Sequence, residues 1–196
     1  MFRRKILYKL EVWKQDEKHK PLILRGARQV GKTTVVNEFG TQFDNYLYFN
    51  MERSESIKLF EMEIPLDDLV NMLFASQGKP QKDGSTLIFI DEIQNSPKTI
   101  ALLRYFYEQR PELYIIAAGS LLENLVDVKV SFPVGRVQYL ALRPCSFYEF
   151  LGAIGKSNLL AVLSQKAKTS LPWKTSTKHW YSHTKTILRN TSGATN

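Results

Sequence analysis

Short apolar runs alternate with helix-like segments along most of this 196-residue chain. A parallel strand that is covered on both faces is apolar throughout, whereas a strand with one wet face alternates. Segments with apolar residues three and four apart are typical of helices that pack on such a sheet. The runs that predict strands are residues 21–24, 46–51, 87–90, 113–118 and 137–142. The pattern predicts an α/β fold, a five-stranded parallel sheet between two helical layers.

The segment before the first strand carries Ile6, Leu7, Leu10 and Trp13 at helical spacing, which predicts an amphipathic helix. The segment is basic, but it lacks the uninterrupted apolar core of a secretory signal. No stretch of the sequence approaches the length needed to span a membrane. We expect residues 1–20 to form this helix and a linker.

A glycine-containing segment follows the first predicted strand. Its Gly26, Gly31, Lys32 and Thr33 fit the pattern G-x-x-x-x-G-K-[ST] at every fixed position. Glycines let the backbone wrap around an anion, so that successive N–H groups face the phosphates as the chain enters a helix. Lys32 would reach the β- and γ-phosphates, and the Thr33 hydroxyl would ligate Mg²⁺. The residues expected to bind nucleotide are Gly26, Ala27, Arg28, Gln29, Val30, Gly31, Lys32, Thr33 and Thr34.

The alternative to a phosphate-binding loop is a turn that happens to precede Lys-Thr. A true loop of this kind must follow a buried strand and open a helix. The apolar run at 21–24 precedes it, and residues 34–39 look helical, with Gly40 as a stop signal. Both conditions hold, so the sequence predicts a nucleotide site.

Two adjacent acids, Asp91 and Glu92, follow the third apolar run. Open α/β sheets place ligand sites at the carboxyl ends of their strands. We expect Asp91 to hold Mg²⁺ through its water shell. Since alternate residues of a strand point in opposite directions, we expect Glu92 to point elsewhere and to polarise the attacking water as general base. The simpler alternative is two acids that end a strand and meet solvent.

Two more polar residues are candidates for catalytic roles. Ser120 follows the fourth apolar run and is expected to sense the γ-phosphate or to position the water, and a helix N-cap is a compatible alternative. Arg136 precedes the fifth run and could face the nucleotide of a neighbouring subunit as an arginine finger. A solvated arginine or a structural salt bridge explains Arg136 equally well.

Composition narrows the function classes. The single cysteine, Cys145, excludes an internal disulfide framework, so a cytoplasmic protein is expected. The formal net charge is +8, yet through Glu149 the chain carries 20 Lys+Arg against 19 Asp+Glu. The other seven Lys+Arg lie beyond Glu149, where acids are absent. The core domain therefore shows no compositional footprint of a nucleic-acid binder.

These motifs resemble those of the prokaryotic AAA-domain ATP-binding proteins, within the AAA+ ATPases. The matching positions are residues 26–34, 89–94, 119–120, 135–136, 143–144 and 146–151, in the family's order over the span 10–154. The resemblance implies the P-loop NTPase fold with strand order 5-1-4-3-2. It also implies ATP with Mg²⁺ and Glu92 as the water-activating acid.

The resemblance ends at about residue 165. Family members continue with a helical lid and a further domain, whereas residues 166–196 are rich in Lys, Ser and Thr and lack acids. We therefore expect a chain that is truncated or frameshifted there. On this interpretation residues 21–155 form an AAA-type ATPase domain, and residues 156–196 form a helical remnant and a basic, disordered tail.

The leading functional hypothesis is Mg-dependent ATP hydrolysis. The alternatives are an ATP-binding switch or interaction module with negligible turnover, and a non-functional fragment. The expected partners are ATP and a second copy of the chain or another protein, and neither a membrane nor a nucleic acid is expected for the core.

Overall fold

The computed structural model describes residues 4–120 and 133–156, together with residues 158, 159 and 163. One compact unit spans Arg3–Ser146, and the positions from Phe147 onward belong to a second unit. Apart from the few positions just named, the predicted tail lies outside the described residues, and so does the expected truncation or frameshift. The domain boundaries at 20 and 155 stay predictions.

Helices and strands alternate along the Arg3–Ser146 unit. The strands are β1 (Leu22–Arg25), β2 (Asn45–Asn50), β3 (Thr86–Asp91), β4 (Leu113–Gly119) and β5 (Gln138–Ala141). The helices are α1 (Ile6–Gln15), α2 (Lys32–Gly40), α3 (Ser54–Phe60), α4 (Leu66–Ser76) and α5 (Pro97–Gln109), with a short 3₁₀ turn at Ile93–Asn95. In the second unit, α6 (Phe147–Ala153) follows.

The five strands form one sheet in the order β2-β3-β4-β1-β5, and every pair is parallel. This is the order 5-1-4-3-2 counted from the other edge, so the predicted P-loop NTPase fold is confirmed. In the register, Leu22 of β1 pairs with Ile116 of β4 on one side and with Gln138 of β5 on the other. The carboxyl ends of β1, β4 and β3 therefore lie side by side.

Each face of the sheet carries its own apolar core. Along β3, Ile88 and Ile90 pack with residues of α4 and α5, whereas Leu87 and Phe89 pack with residues of α1 and α2. Every residue of β3 is buried, as expected for a strand covered on both faces. The residues of the edge strand β5 are half-buried or exposed. The result is the predicted three-layer α/β/α sandwich.

Two helices show how the local sequence sets their positions. Helix α1 buries Ile6, Leu7, Leu10 and Trp13, the residues whose spacing predicted it, in the core shared with α2. Helix α5 begins after Ser96, whose hydroxyl accepts a hydrogen bond from the Thr99 N–H at 3.2 Å. Among the described residues, no helix has both the length and the apolar character needed to cross a membrane.

Candidate functional site

The glycine-containing segment forms the loop between β1 and α2. Gly31 is the N-cap of α2 and has φ +90°, a backbone conformation that residues with a Cβ rarely adopt. A Cβ at Gly26 would lie 2.4 Å from the carbonyl oxygen of Leu142, so the backbone after β5 approaches too closely for any other residue. Both motif glycines are therefore required by geometry, one by its φ angle and one by a close contact.

Lys32 begins α2, and its side chain folds back onto the loop. Only 6% of the residue is exposed, and its Nζ donates to the carbonyl oxygens of Gly26 and Ala27, both at 2.9 Å. The loop backbone thus holds a buried positive charge beside the N-terminus of α2, where N–H groups also favour an anion.

Thr33 and Asp91 meet although they lie on different elements. The Thr33 hydroxyl donates to Oδ2 of Asp91 at 2.6 Å, and the Glu92 N–H donates to Oδ1 at 3.1 Å. Asp91 is 4% exposed. Burial raises the pKa of the Asp91 carboxyl, although these two hydrogen bonds act in the opposite direction. The two predicted metal-binding side chains are brought together.

Glu92 lies just beyond β3, in the left-handed conformation with φ +52°. The predicted reason for its direction, alternation along a strand, does not apply, because the strand ends at Asp91. The turn of the backbone sets the direction instead. The Gln94 amide donates to Oε2 of Glu92 at 2.5 Å. Glu92 is held by a neighbour two residues along the chain.

A cavity of about 480 Å³ adjoins the loop. Loop and helix residues line it together with two acids, and the lining residues are Arg28, Gln29, Gly31, Lys32, Thr33, Thr34, Glu52 and Glu92. The predicted base and the predicted phosphate-binding residues therefore share one cavity.

Three buried side-chain atoms have no hydrogen-bond partner among the residues that the structure describes: Nε of Arg25, Oε1 of Gln94 and Oγ of Ser120. Each residue lies at or just after the carboxyl end of a central strand, β1, β3 or β4. Buried polar atoms are nearly always satisfied in folded proteins. The concentration of these atoms at the carboxyl edge of the sheet fits a site whose polar groups pair with a bound ligand. The predicted Ser120 lies at this edge.

Arg136 lies elsewhere. It precedes β5, so in a parallel sheet it lies at the amino edge, opposite the loop. Its Nε pairs with Oε1 of Glu108 at 3.0 Å, and this contact is the main reason that the pKa of Glu108 is lowered. Within the chain Arg136 therefore makes a structural salt bridge, which was one of the alternatives that the sequence analysis gave for it. Its role toward a neighbouring copy stays a prediction.

Sequence reasoning missed two residues that contact the site. Arg4 donates to Val30 of the loop, and Gln94 holds Glu92. Gln94 stood within the matching segment 89–94, so its position next to the acids was a usable signal. Arg4 is one of several basic residues before α1, and nothing in the sequence separated it from its neighbours.

Comparison with known proteins agrees with this geometry. Residues 18–151 match a family described as an AAA domain. Among solved structures, the Walker-type ATPase PABY2304 of Pyrococcus abyssi is similar, at 22% identity and a TM-score of 0.53, over 82% of this chain and 59% of that one. Drosophila ORC bound to DNA is similar at 16% identity and a TM-score of 0.52, over 83% of this chain and 48% of that one.

At these identities the two structural likenesses show the fold, and the chain spans less than two thirds of either structure's length. No match is found among curated proteins. The family match covers more than half of the chain and includes the loop, both acids and Ser120. The chain therefore belongs to the AAA domain family, a family of ATP-binding P-loop ATPases.

Proposed function

We propose that this protein binds ATP with Mg²⁺ at the loop between β1 and α2 and hydrolyses the γ-phosphate. The observation that carries the proposal is the 2.6 Å contact between the Thr33 hydroxyl and the Asp91 carboxylate. These residues are 58 positions apart in sequence, yet they meet beside a buried lysine and a helix N-terminus. Hydroxyl and carboxylate oxygens are ligands that Mg²⁺ accepts, directly or through water.

The donor set fits the metal. Thr33 would ligate Mg²⁺ through Oγ1, and Asp91 would hold its water shell. When bound, Mg²⁺ neutralises charge on the β- and γ-phosphate oxygens. Oγ of Ser120 and Oε1 of Gln94 lie at the same edge without a hydrogen-bond partner in the part of the chain that the structure describes, which supports a ligand-dependent site.

Lys32 and the loop amides supply the remaining positive potential. The Lys32 ammonium would exchange its contacts with Gly26 and Ala27 for phosphate oxygens, which are stronger acceptors because they are charged. The N–H groups at the start of α2 would donate to the same phosphates. Charge that develops in the transition state is thereby stabilised by groups already in place.

Glu92 supplies the base. The attacking water forms a bond to the γ-phosphorus, the bond between that phosphorus and the β–γ bridging oxygen breaks, and the water proton passes to the Glu92 carboxylate. Ser120 would orient that water or the γ-phosphate. Arg136 would contribute only from a neighbouring copy, because its own chain places it at the opposite edge of the sheet.

A switch that binds ATP and turns it over negligibly is the second candidate. The contact between Gln94 and Glu92 favours it, because a carboxylate that accepts an amide hydrogen bond is less available to accept a proton from water. The pairing of Arg136 with Glu108 favours it too, since that arginine must leave its partner before it can act on a neighbour.

Titration with a fluorescent ATP analogue and single-turnover hydrolysis separate the candidates. We expect Lys32→Ala to lose binding and Glu92→Gln to bind normally while hydrolysis falls by roughly 100-fold or more. Glu55→Gln is the matched control, because Glu55 is an exposed acid on α3 that does not line the cavity, so this variant should change neither. Equal, negligible turnover in wild type and Glu92→Gln, with binding intact, would leave the switch. Absence of binding in wild type rejects both.

A further inference from the structure

The guanidinium of Arg4 lies against the nucleotide loop from outside the motif. Its Nη1 donates to the carbonyl oxygen of Val30 at 3.1 Å, and its Nη2 donates to that of Arg143 at 2.8 Å. Arg4 is 9% exposed. Val30 belongs to the loop, and Arg143 follows β5. One buried side chain thus ties the loop to a segment 139 residues away from Arg4 in sequence.

The backbone of Arg4 is itself fixed. Its carbonyl oxygen accepts a hydrogen bond from the Leu7 N–H at 3.1 Å, at the start of α1. Ile6 and Leu7, the next apolar residues, are buried in the core that α1 shares with α2. The backbone of Arg4 is therefore fixed, and only the rotamers of its side chain have to be ordered when the guanidinium holds the loop.

The contact with Val30 determines where the next N–H points. A peptide unit is planar and trans, so its C=O and its N–H point in opposite directions. When Arg4 binds the carbonyl oxygen of Val30, the N–H of Gly31 is directed away from Arg4. Gly31 lines the cavity beside the loop, and this N–H is one of the donors available to a phosphate there.

The second contact ties Arg4 to the segment that supports the other end of the loop. The Leu142 N–H donates to the carbonyl oxygen of Arg25 at 2.7 Å, and the Leu142 carbonyl oxygen packs against Gly26. The loop is thus held at its first glycine by Leu142 and near its last by Arg4, which binds the adjacent Arg143. Both contacts involve residues that directly follow β5, namely Leu142 and Arg143.

We propose that Arg4 is a positioning residue for nucleotide binding, which holds the Val30–Gly31 peptide in the orientation that presents the Gly31 N–H to the phosphates. The proposal rests on the nucleotide-binding function proposed above. The positioning role requires a side chain with two donors on a planar fork, because Arg4 binds the carbonyl oxygens of Val30 and Arg143 at the same time. An ammonium retains the charge but bonds from a single nitrogen.

The test compares Arg4→Ala and Arg4→Lys with wild type in the full 196-residue chain, with Lys9→Ala as the control. Lys9 is an exposed basic residue of the neighbouring helix, so this variant removes a charge without touching the loop. The measurements are the Kd for a fluorescent ATP analogue, amide hydrogen exchange of the peptide covering residues 26–34 without nucleotide, and the free energy of unfolding in urea.

We expect both Arg4 variants to raise the Kd by about 10-fold, since one charge-assisted hydrogen bond typically carries that much. We also expect exchange in the loop peptide to quicken by a similar factor, while peptides of β3 and β4 exchange as in wild type. Lys9→Ala should match wild type. Rescue of the Kd by Arg4→Lys would overturn the proposal, because charge alone would then suffice.

A purely structural role gives a different result. If Arg4 only stabilised the fold, its variants would lower the free energy of unfolding and leave both the Kd and the loop exchange within twofold of wild type, which rejects the proposal. If Arg4→Ala does not fold, Arg4→Lys decides the question by the same measurements. If wild type binds no nucleotide, the proposed function falls, and the loop exchange still shows whether Arg4 orders the loop.

Discussion

The two edges of the sheet use polar residues in opposite ways. At the amino edge, Asn45 donates from its amide to Lys82 and Thr86 and accepts from the Lys82 N–H. At the carboxyl edge, Ser120 and Gln94 keep buried oxygens without a partner in the described part of the chain. A buried polar group without a partner costs free energy. The polar groups of the amino edge thus stabilise the fold, whereas those of the carboxyl edge support the proposal that this edge binds a ligand.

The largest effect is expected at the carboxyl edge, from Gly26→Ala. The new Cβ would lie 2.4 Å from the Leu142 carbonyl oxygen, a backbone atom that cannot turn aside. We expect nucleotide affinity to fall by at least about 100-fold and the free energy of unfolding by about 2 kcal/mol. Gly78→Ala is the control for affinity alone: its Cβ meets nothing within 4 Å, but its φ of +60° disfavours any residue with a Cβ, so this variant should lose stability and bind ATP like wild type. A Gly26→Ala variant that binds ATP like wild type would contradict the described loop geometry.

At the amino edge, Asn45→Ala is expected to lower stability alone. The substitution removes three hydrogen bonds of the buried Asn45, two to the backbone of Lys82 and one to the buried Thr86 hydroxyl, which costs about 2 kcal/mol in the free energy of unfolding. Nucleotide affinity should stay within twofold of wild type, because Asn45 begins β2 at the far end of the sheet. Urea unfolding and nucleotide titration measure the two effects. A large loss of affinity in the folded variant would break the comparison between the edges.

Ser120→Ala is the counterpart at the carboxyl edge. Removing a hydroxyl that has no partner among the described residues should leave the free energy of unfolding unchanged or raise it by up to about 1 kcal/mol. Single-turnover hydrolysis should fall by about 10-fold if the hydroxyl meets the γ-phosphate or the water. Ser76→Ala is a matched control, since the Ser76 hydroxyl bonds to its own helix at Leu73. Normal hydrolysis in Ser120→Ala would remove Ser120 from the site.

The smallest effect is a difference in pH dependence. Burial raises the pKa of Asp91, so the ionisation of Asp91 lowers stability as pH rises from the ordinary carboxyl range through that raised pKa. Ser85 lowers the pKa of Asp44, so the ionised Asp44 adds stability that is lost as pH falls below the ordinary range. With EDTA and without nucleotide, Asp91→Asn should gain stability over wild type as pH rises, and Asp44→Asn should lose it. Parallel urea-unfolding profiles for the two variants would contradict the assignment.

The sequence predicted where the loop lies, between a buried strand and a helix, because the requirements for that position are local. The two glycines, Lys32 and Thr33 stand at fixed spacing between a strand and a helix, and the structure brings Thr33 to Asp91 as the pattern of apolar strands indicated. The strand order came from the family resemblance, since periodicity says which segments are strands but not which strands are neighbours.

The contacts that the sequence did not predict depend on backbone atoms distant in the chain. Arg4 binds two carbonyl oxygens, and a carbonyl leaves no mark in a sequence. The direction of Glu92 was assigned from strand alternation, but β3 ends one residue earlier and a left-handed turn follows. The role of Arg136 was assigned from its place just before the fifth apolar run, and the parallel register shows that it lies at the edge opposite the loop.

The position of β1 has a consequence for synthesis on the ribosome. Both of its neighbours in the sheet, β4 and β5, come roughly a hundred residues later in the chain. At translation rates of about 5–20 residues per second, the nascent β1 waits on the order of 5–20 s for its first partner. During that time its apolar residues and the adjoining loop have no sheet to join. The nucleotide site is therefore encoded early and assembled late, when β5 emerges and closes the backbone behind Gly26.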